Sequence, residues 1–301
     1  MGSPTREFGK GLDTSMRFSE GEMQTATPCG QSIGKRTRWT RFTDRASGRS
    51  LLLPIDHGLT QGPLAGLESI HALGAWISHP SINGIIAHKG TLARLVEARA
   101  LGAAGLMLHA NGMPDFAEQP DTKEILTTIE AALRLGCDGV SLQLNFRRHN
   151  VAHNLKLLGR IVDEASAWGL PVLAMIYDKD QTAPDQRLAR TRHLIRIACE
   201  LGVDAVKIEA PASIREMPSL LDGLVDDIAV FFSGGPLGDL DQLLDVASHA
   251  VALGAAGMCI GRNVFQHPDK SRALRLLHKA VCGTGAAGLQ ETRLERNDRQ
   301  V

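Results

Sequence analysis

The sequence predicts a (β/α)₈ barrel, and three observations carry that prediction. First, one unit recurs: ALGAAGLMLHA at 100–110, RLGCDGVSLQLN at 134–145, ELGVDAVKIEAP at 200–211 and ALGAAGMCIGRN at 252–263. In each, a helix ends at Leu-Gly, the chain turns, and an apolar strand follows; glycine suits the left-handed residue that closes many helices. AWGLPVLAMIYD at 167–178 repeats the unit with Trp-Gly. Second, the strands are almost continuously apolar and alternate with helical segments, the pattern of parallel strands covered on both faces. Third, adding 51–55, 82–87 and 228–232 brings the strands to eight. The glycine-rich fingerprint of an open dinucleotide-binding sheet is missing after the first of them, which favours the closed barrel.

Taken in order, residues 1–34 mix Gly, Ser, Thr and charge without periodicity, and are expected to form a mobile N-terminal arm. The barrel is expected over 35–283. Its helices are predicted at 121–135, 155–168, 186–201 and 239–253, with apolar residues three and four apart, such as Leu188, Leu194, Ile195 and Ala198. Residues 284–301 are expected to be a C-terminal tail, disordered or used as a subunit-contact arm.

Hydrophobic residues make up 43% of the chain, ample for the core of one barrel domain. Lys+Arg and Asp+Glu both number 33, so no electrostatic case exists for nucleic acid or an anionic membrane as partner. No apolar run approaches the ~20 residues of a membrane span, and the N-terminus lacks the apolar core of a signal peptide. A cytoplasmic location is expected. Cys29, Cys137, Cys199, Cys259 and Cys282 show no CxxC spacing, which favours reduced thiols over disulfides or a zinc knot.

Barrels of this kind do their chemistry at the C-terminal ends of the strands. Those ends read Asp56-His57-Gly58, His88-Lys89-Gly90, His109-Ala110-Asn111, Asn145-Phe146-Arg147, Tyr177-Asp178-Lys179, Lys207 with Glu209, Ser233-Gly234-Gly235 and Gly261-Arg262-Asn263. Lys207 stands out because it lies within an apolar strand. An ammonium there loses hydration unless it is paired or neutral, and a neutral amine is the species that attacks a carbonyl. Burial between Val206 and Ile208 therefore predicts a pKa below that of a free lysine; the bland alternative is a lysine that snorkels to water. Ser233, Gly234 and Gly235, together with Gly261 and Arg262, end the seventh and eighth strands, where these barrels commonly hold phosphate. Tyr177 and Asp56 are placed to move protons around an amine at Lys207. His57, Lys89 and His109 complete the expected substrate contacts. His57, His88 and His109 would suit a catalytic zinc, but no pair has i, i+4 spacing, so no metal and no cofactor are expected.

These residues identify a family. PIDHGLTQGP (54–63), AHKG (87–90), LMLH (106–109), MIYD (175–178), DAVKIEAP, SGGP and GRNVFQHPD (261–269) resemble the archaeal-type class I aldolases. Within that group they look most like 2-amino-3,7-dideoxy-D-threo-hept-6-ulosonate synthase and its secondary-metabolism relatives. The resemblance covers about 35–283. It implies a Schiff base at Lys207, proton transfer by Asp56 and Tyr177, and phosphate held by Ser233–Gly235 and Gly261–Arg262. It also implies a phosphorylated ketose donor and aspartate semialdehyde as acceptor; a homo-oligomer is expected. The chain departs from the family at the mouth: Asp178-Lys179-Asp180 replaces Pro-Arg-Gly, and Ala110-Asn111-Gly112-Met113 replaces a serine- and glycine-rich segment. Three competing readings stay open: a class I fructose-bisphosphate aldolase, a coenzyme A-dependent thiolase of the same fold acting on a phosphorylated diketone, and a non-catalytic barrel.

Overall fold

The computed structural model describes residues 32–180 and 182–283. The expected N-terminal arm, apart from its last residues, and the C-terminal tail lie outside the described residues, as does Cys29. The chain runs α1 (Ile33–Trp39), β1 (Ser50–Pro54), α2 (His57–Gln61), α3 (Ile70–Leu73), β2 (Gly84–Ala87), α4 (Lys89–Glu97) and β3 (Gly105–His109). A small hairpin, β4 (Asn111–Gly112) with β5 (Glu124–Ile125), leads to α5 (Ile129–Arg134), β6 (Gly139–Phe146), α6 (Val151–Ala167), β7 (Val172–Asp178) and α7 (Pro184–Glu200). Then come β8 (Ala205–Ile208), α8 (Met217–Leu221), β9 (Ala229–Ser233), α9 (Leu240–Ala252), β10 (Gly257–Cys259), α10 (Arg262–Phe265) and α11 (Lys270–Cys282).

Eight parallel strands close in the order β1-β10-β9-β8-β7-β6-β3-β2. The (β/α)₈ barrel read from the repeat is therefore the fold. Two apolar layers follow from the period-two alternation of strand side chains. Leu51, Leu53, Ile85, Leu108, Val140, Leu142, Val206 and Val230 face the helices. Leu52, Ile86, Met107, Leu173, Met175, Ala205, Ala229, Phe231 and Cys259 fill the interior.

The bottom of the barrel is plugged from outside the repeat. Trp39, at the end of α1, and Phe42 pack into the interior cluster. A Cβ on Gly84 or Gly105 would come within 2.7–2.8 Å of the Phe42 ring, so glycine at these strand starts is what admits it. Lys35 on α1 donates to both carboxylate oxygens of Asp204, at 2.9 and 3.2 Å, and Asp204 also accepts from the Val172 amide. The N-terminal helix is thus tied to the residue that introduces β8.

One predicted element is corrected. A helix over 121–135 is expected from periodicity, but the helix is Ile129–Arg134, capped by Thr128, whose side chain accepts from the Ala131 amide. Before it, the chain is extended as β5 against β4, because the polar groups of Asp121 and Lys123 are drawn into the barrel mouth. The four described cysteines, Cys137, Cys199, Cys259 and Cys282, are free. Among the described residues, no helix is long and apolar enough to cross a membrane.

Candidate active site

Alternation along β8 turns Lys207 inward, level with Met175 of β7 and Phe231 of β9. It is 5% exposed. Its amine lies 3.9 Å from Met175 Sδ, and among the described residues no carboxylate oxygen is within 4.0 Å of it. The Tyr177 hydroxyl, the Cys259 thiol and the Asp56 carboxylate are the groups that act on its charge. These come from the ends of β7, β10 and β1, so only barrel closure assembles them.

The charge state differs from expectation. Burial pulls the Lys207 amine down, as the strand pattern predicts, but Cys259, Tyr177 and Asp56 together hold it above the usual lysine range. Burial pushes the Cys259 thiol up to about 11 and raises the Tyr177 phenol as well, so both are neutral at pH 7. The neutral-pH partner of the ammonium is therefore Asp56. Its carboxyl, which burial alone would raise, is held well below the carboxylate range by the surrounding histidines and Lys207.

Asp56 sits at the centre of a buried polar cluster. Its Oδ2 lies 3.5 Å from His109 Nε2, and its Oδ1 lies 3.6 Å from His57 Nδ1. His109 Nδ1 meets Ser141 Oγ at 2.8 Å, which fixes the ring, and His88 packs edge-on against it with centroids 5.1 Å apart. Burial holds His109 down to about 3, so it is neutral at pH 7. Asp56 Oδ1 and His57 Nδ1 are buried without a hydrogen-bond partner among the described residues. Among the described residues, no group of three or more His, Cys, Asp and Glu side chains is arranged to hold a metal.

The two glycine-rich turns meet as predicted. Ser233 and Cys259 are register partners at the ends of β9 and β10. Asn263, 3% exposed, ties the turns together: its Nδ2 donates to the Gly234 and Pro236 carbonyls at 2.8 and 2.9 Å, and its Oδ1 accepts from the Gly238 amide. Gly235 has φ of +67°, and a Cβ on Gly261 would fall 2.8 Å from the His57 ring and 2.9 Å from the Pro54 carbonyl. Arg262 follows at the start of α10 and acts on the charge of His57. Lys89 is not part of this group. It is exposed, and its Nζ donates to the Leu126 carbonyl at 3.1 Å, on the hairpin side of the mouth.

The residues after Tyr177 divide by direction. Asp178 turns outward, accepting from Thr182 Oγ1 at 2.7 Å and lying 3.6 Å from Arg190 Nε. Lys179 turns over the mouth, its Nζ 5.0 Å from the Tyr177 ring centroid. Sequence reasoning misses Cys259, Ser141 and Lys123. Cys259 and Ser141 look like ordinary strand fillers, and Lys123 lies in a loop without a motif. Asn263 was visible inside GRN but without a role. A cavity of about 390 Å³ opens beside Asp56 and His88.

Comparison with known proteins gives the family. The sequence pattern described as DeoC/LacD family aldolase matches residues 50–267. The chain is 34% identical over 251 residues to 2-amino-3,7-dideoxy-D-threo-hept-6-ulosonate synthase 1 of Archaeoglobus fulgidus, covering 83% of this chain and 92% of that protein. It is 29% identical over 258 residues to 2-amino-4,5-dihydroxy-6-oxo-7-(phosphonooxy)heptanoate synthase of Streptomyces griseus, covering 85% and 93%. An archaeal fructose-1,6-bisphosphate aldolase, solved with its catalytic Lys bound to the carbinolamine intermediate, superposes with a TM-score of 0.72 over 82% of this chain and 99% of that one. At 23% identity that likeness concerns the barrel alone. With the family pattern spanning β1 to just beyond α10, and the Archaeoglobus relative shared along most of both chains, this protein belongs to the DeoC/LacD aldolase family.

Proposed function

We propose that the protein is a Schiff-base-forming class I aldolase or transaldolase. It makes or breaks a C–C bond between a phosphorylated ketose donor and an aldehyde acceptor, with aspartate semialdehyde as the acceptor. The observation that carries the reading is Lys207: a lysine 5% exposed inside the barrel, with Tyr177 and Asp56 acting on its charge and no carboxylate within ion-pairing distance. A structural lysine is paired more closely than this. The phosphonooxy group in the Streptomyces relative's name fits a phosphorylated substrate.

The steps follow from the charge states. Lys207 rests as an ammonium, so it passes one proton to Asp56 as its nitrogen attacks the carbonyl carbon, and a second moves from the nitrogen to the former ketone oxygen to give the neutral carbinolamine. Tyr177, protonated at neutral pH, donates to the carbinolamine hydroxyl, which leaves as water while the nitrogen lone pair forms the C=N bond. Asp56 returns its proton to the Tyr177 phenolate and, ionised again, takes the proton from the adjacent carbon; the resulting enamine attacks the acceptor's aldehyde carbon, whose oxygen takes that proton back from Asp56. Hydrolysis returns the amine. The donor's phosphate is assigned to Ser233, Gly234 and Gly235 with Gly261 and Arg262, whose backbone amides and guanidinium suit an anion. His57 and His109 hold Asp56 and line the donor's path.

The test is borohydride reduction of the full chain with a panel of phosphorylated ketoses, read by peptide mass. Donor carbon on Lys207 is the expected result. Cleavage of a phosphorylated substrate that depends on coenzyme A and leaves no adduct would replace this reading with the thiolase one.

A further inference from the structure

A second buried lysine lies at the mouth, and the reaction just described gives it nothing to do. Lys123 is 2% exposed, although it sits in the loop between β4 and β5. Among the described residues, its ammonium makes one hydrogen bond, to the Met113 carbonyl at 3.0 Å. An ammonium has three N–H groups, so two are left to point elsewhere. The groups that act on its charge are Asp121, Lys179, Asp56 and Asp115, and Lys123 in turn acts on His88. Asn145, near the C-terminal end of β6, donates to Asp121 two residues before Lys123, which sets this loop at the mouth.

The surroundings carry both signs of charge and are braced: Asp121, Asp115 and Asp56 stand against Lys179 and Arg147. Asp121 is the first carboxylate in reach of Lys123, but it is already engaged by Arg147 Nε and by Asn145 Nδ2, the latter at 2.8 Å. Arg147 Nη1 holds the Lys179 carbonyl at 2.6 Å, and Lys179 Nζ leans over Tyr177. The backbone beneath is pinned from α6: His153 Nε2 meets the Lys123 carbonyl at 2.8 Å, and Asn150 Nδ2 donates to the Asp121 carbonyl at 3.2 Å. A lysine serving only to strut Met113 would need one donor and no charge. Burying an ammonium for that purpose is costly.

Position in the barrel gives the cluster its meaning. In the closed order, β9 and β10, which carry the glycine-rich turns, stand opposite β3 and β6. Lys123 follows β3 and Arg147 follows β6, with Lys179 beside them after β7. Lys207 on β8 and Asp56 after β1 lie between the two sides. We propose that Lys123, with Lys179 and Arg147, is a second anion seat that receives the charged end of the aldehyde acceptor, a carboxylate or a phosphate. The proposal rests on the aldol reading above and adds the residues that hold the acceptor's charged end. With an anion anchored on each side, the aldehyde carbon is held over the enamine at Lys207.

The test compares the parent, Lys123→Gln and Lys123→Arg, using the ketose donor found by trapping. Gln keeps a donor for the Met113 carbonyl without the charge. Acceptors are paired: succinate semialdehyde against butanal, and glyceraldehyde 3-phosphate against glyceraldehyde. The expected result is a ratio of charged to neutral kcat/KM at least tenfold lower in Lys123→Gln, through KM. Imine trapped at Lys207 should be little changed, and Lys123→Arg should restore the ratio. The pair that responds identifies carboxylate or phosphate as the anion. An unchanged ratio, equal losses for charged and neutral acceptors, or lost trapping would make Lys123 a loop strut and overturn the seat. A parent that traps no ketose breaks the aldol reading instead. The seat is then read by titrating succinate into parent and Lys123→Gln, where tenfold weaker binding by the variant supports it and equal binding overturns it.

Discussion

Lys35 and Lys207 are equally buried, at 7% and 5% exposed, and both meet the chain around β8, one below its first residue and one within it. At the bottom, Lys35 makes two hydrogen bonds to Asp204, and the pair joins α1 to the barrel. At the mouth, Lys207 has a thioether at 3.9 Å and a carboxylate only beyond ion-pair distance. A satisfied buried ammonium is structural. One that meets only a phenol, a thiol and a thioether, with no carboxylate at ion-pair distance, stays available to a substrate carbonyl, which is how one residue type serves stability at one end and chemistry at the other.

The sharpest way to break this contrast is to remove each lysine in turn. Lys207→Ala should abolish borohydride trapping and lower turnover by at least ~10³-fold, a barrier increase of about 4 kcal/mol, while unfolding stays cooperative. Lys35→Met should instead lose about 3–5 kcal/mol of stability, because Asp204 is left buried without its ammonium, yet still trap donor when folded. Normal turnover in Lys207→Ala would end the assignment, and stability unchanged in Lys35→Met would make the bottom pair ornamental.

Next in size are the proton carriers. Asp56→Asn should slow C–C bond formation or cleavage by roughly 10²–10⁴-fold while some imine is still trapped, since the carboxylate is the base of the later step. Tyr177→Phe keeps the ring against the interior cluster and should slow imine formation itself. Parent-like trapping and turnover in Tyr177→Phe would move the acid role elsewhere, with Asp178 and Lys179 the first residues to examine. Arg262→Ala should weaken phosphorylated donors by about 1.5–3 kcal/mol, read in KM, with less effect on chemistry of the bound donor. If dephosphorylated donors lose as much, Arg262 does not hold phosphate.

The last effect is a pH slope. His109 is neutral when folded down to about pH 3, whereas an unfolded histidine takes up its proton near 6.5. Between those values the unfolded chain binds the extra proton, so stability falls as pH falls, by at most about 1.4 kcal/mol per unit. Urea unfolding between pH 6.5 and 4 should give a shallower slope for His109→Asn than for the parent. Coincident slopes would show that His109 is not buried neutral.

Much of this was legible in the chain. The Leu-Gly grammar marks where helices end and strands begin because glycine is the residue that accepts a left-handed φ, and Gly136, Gly169, Gly202 and Gly254 all have it. Strand ends could be read in order, so Asp56, Tyr177, Lys207, Ser233 and Arg262 could be placed at one mouth before any coordinates. The 121–135 segment was misread because a periodic apolar pattern does not reveal that Asp121 is bound by Arg147 and Asn145 from another strand.

What the sequence determined by itself is therefore the set of positions: which residues lie in strands, which face inward, and which end at the C-terminal rim. Those depend on short-range periodicity and turn chemistry, which act over a few residues. The charge on Lys207, the seating of Asp56 among His57, His88 and His109, and the burial of Lys123 were decided only by the tertiary structure. They depend on through-space electrostatics and desolvation among groups from β1, β7, β8 and β10 and the loop after β3. Those groups are far apart in the chain and become neighbours only when the barrel closes.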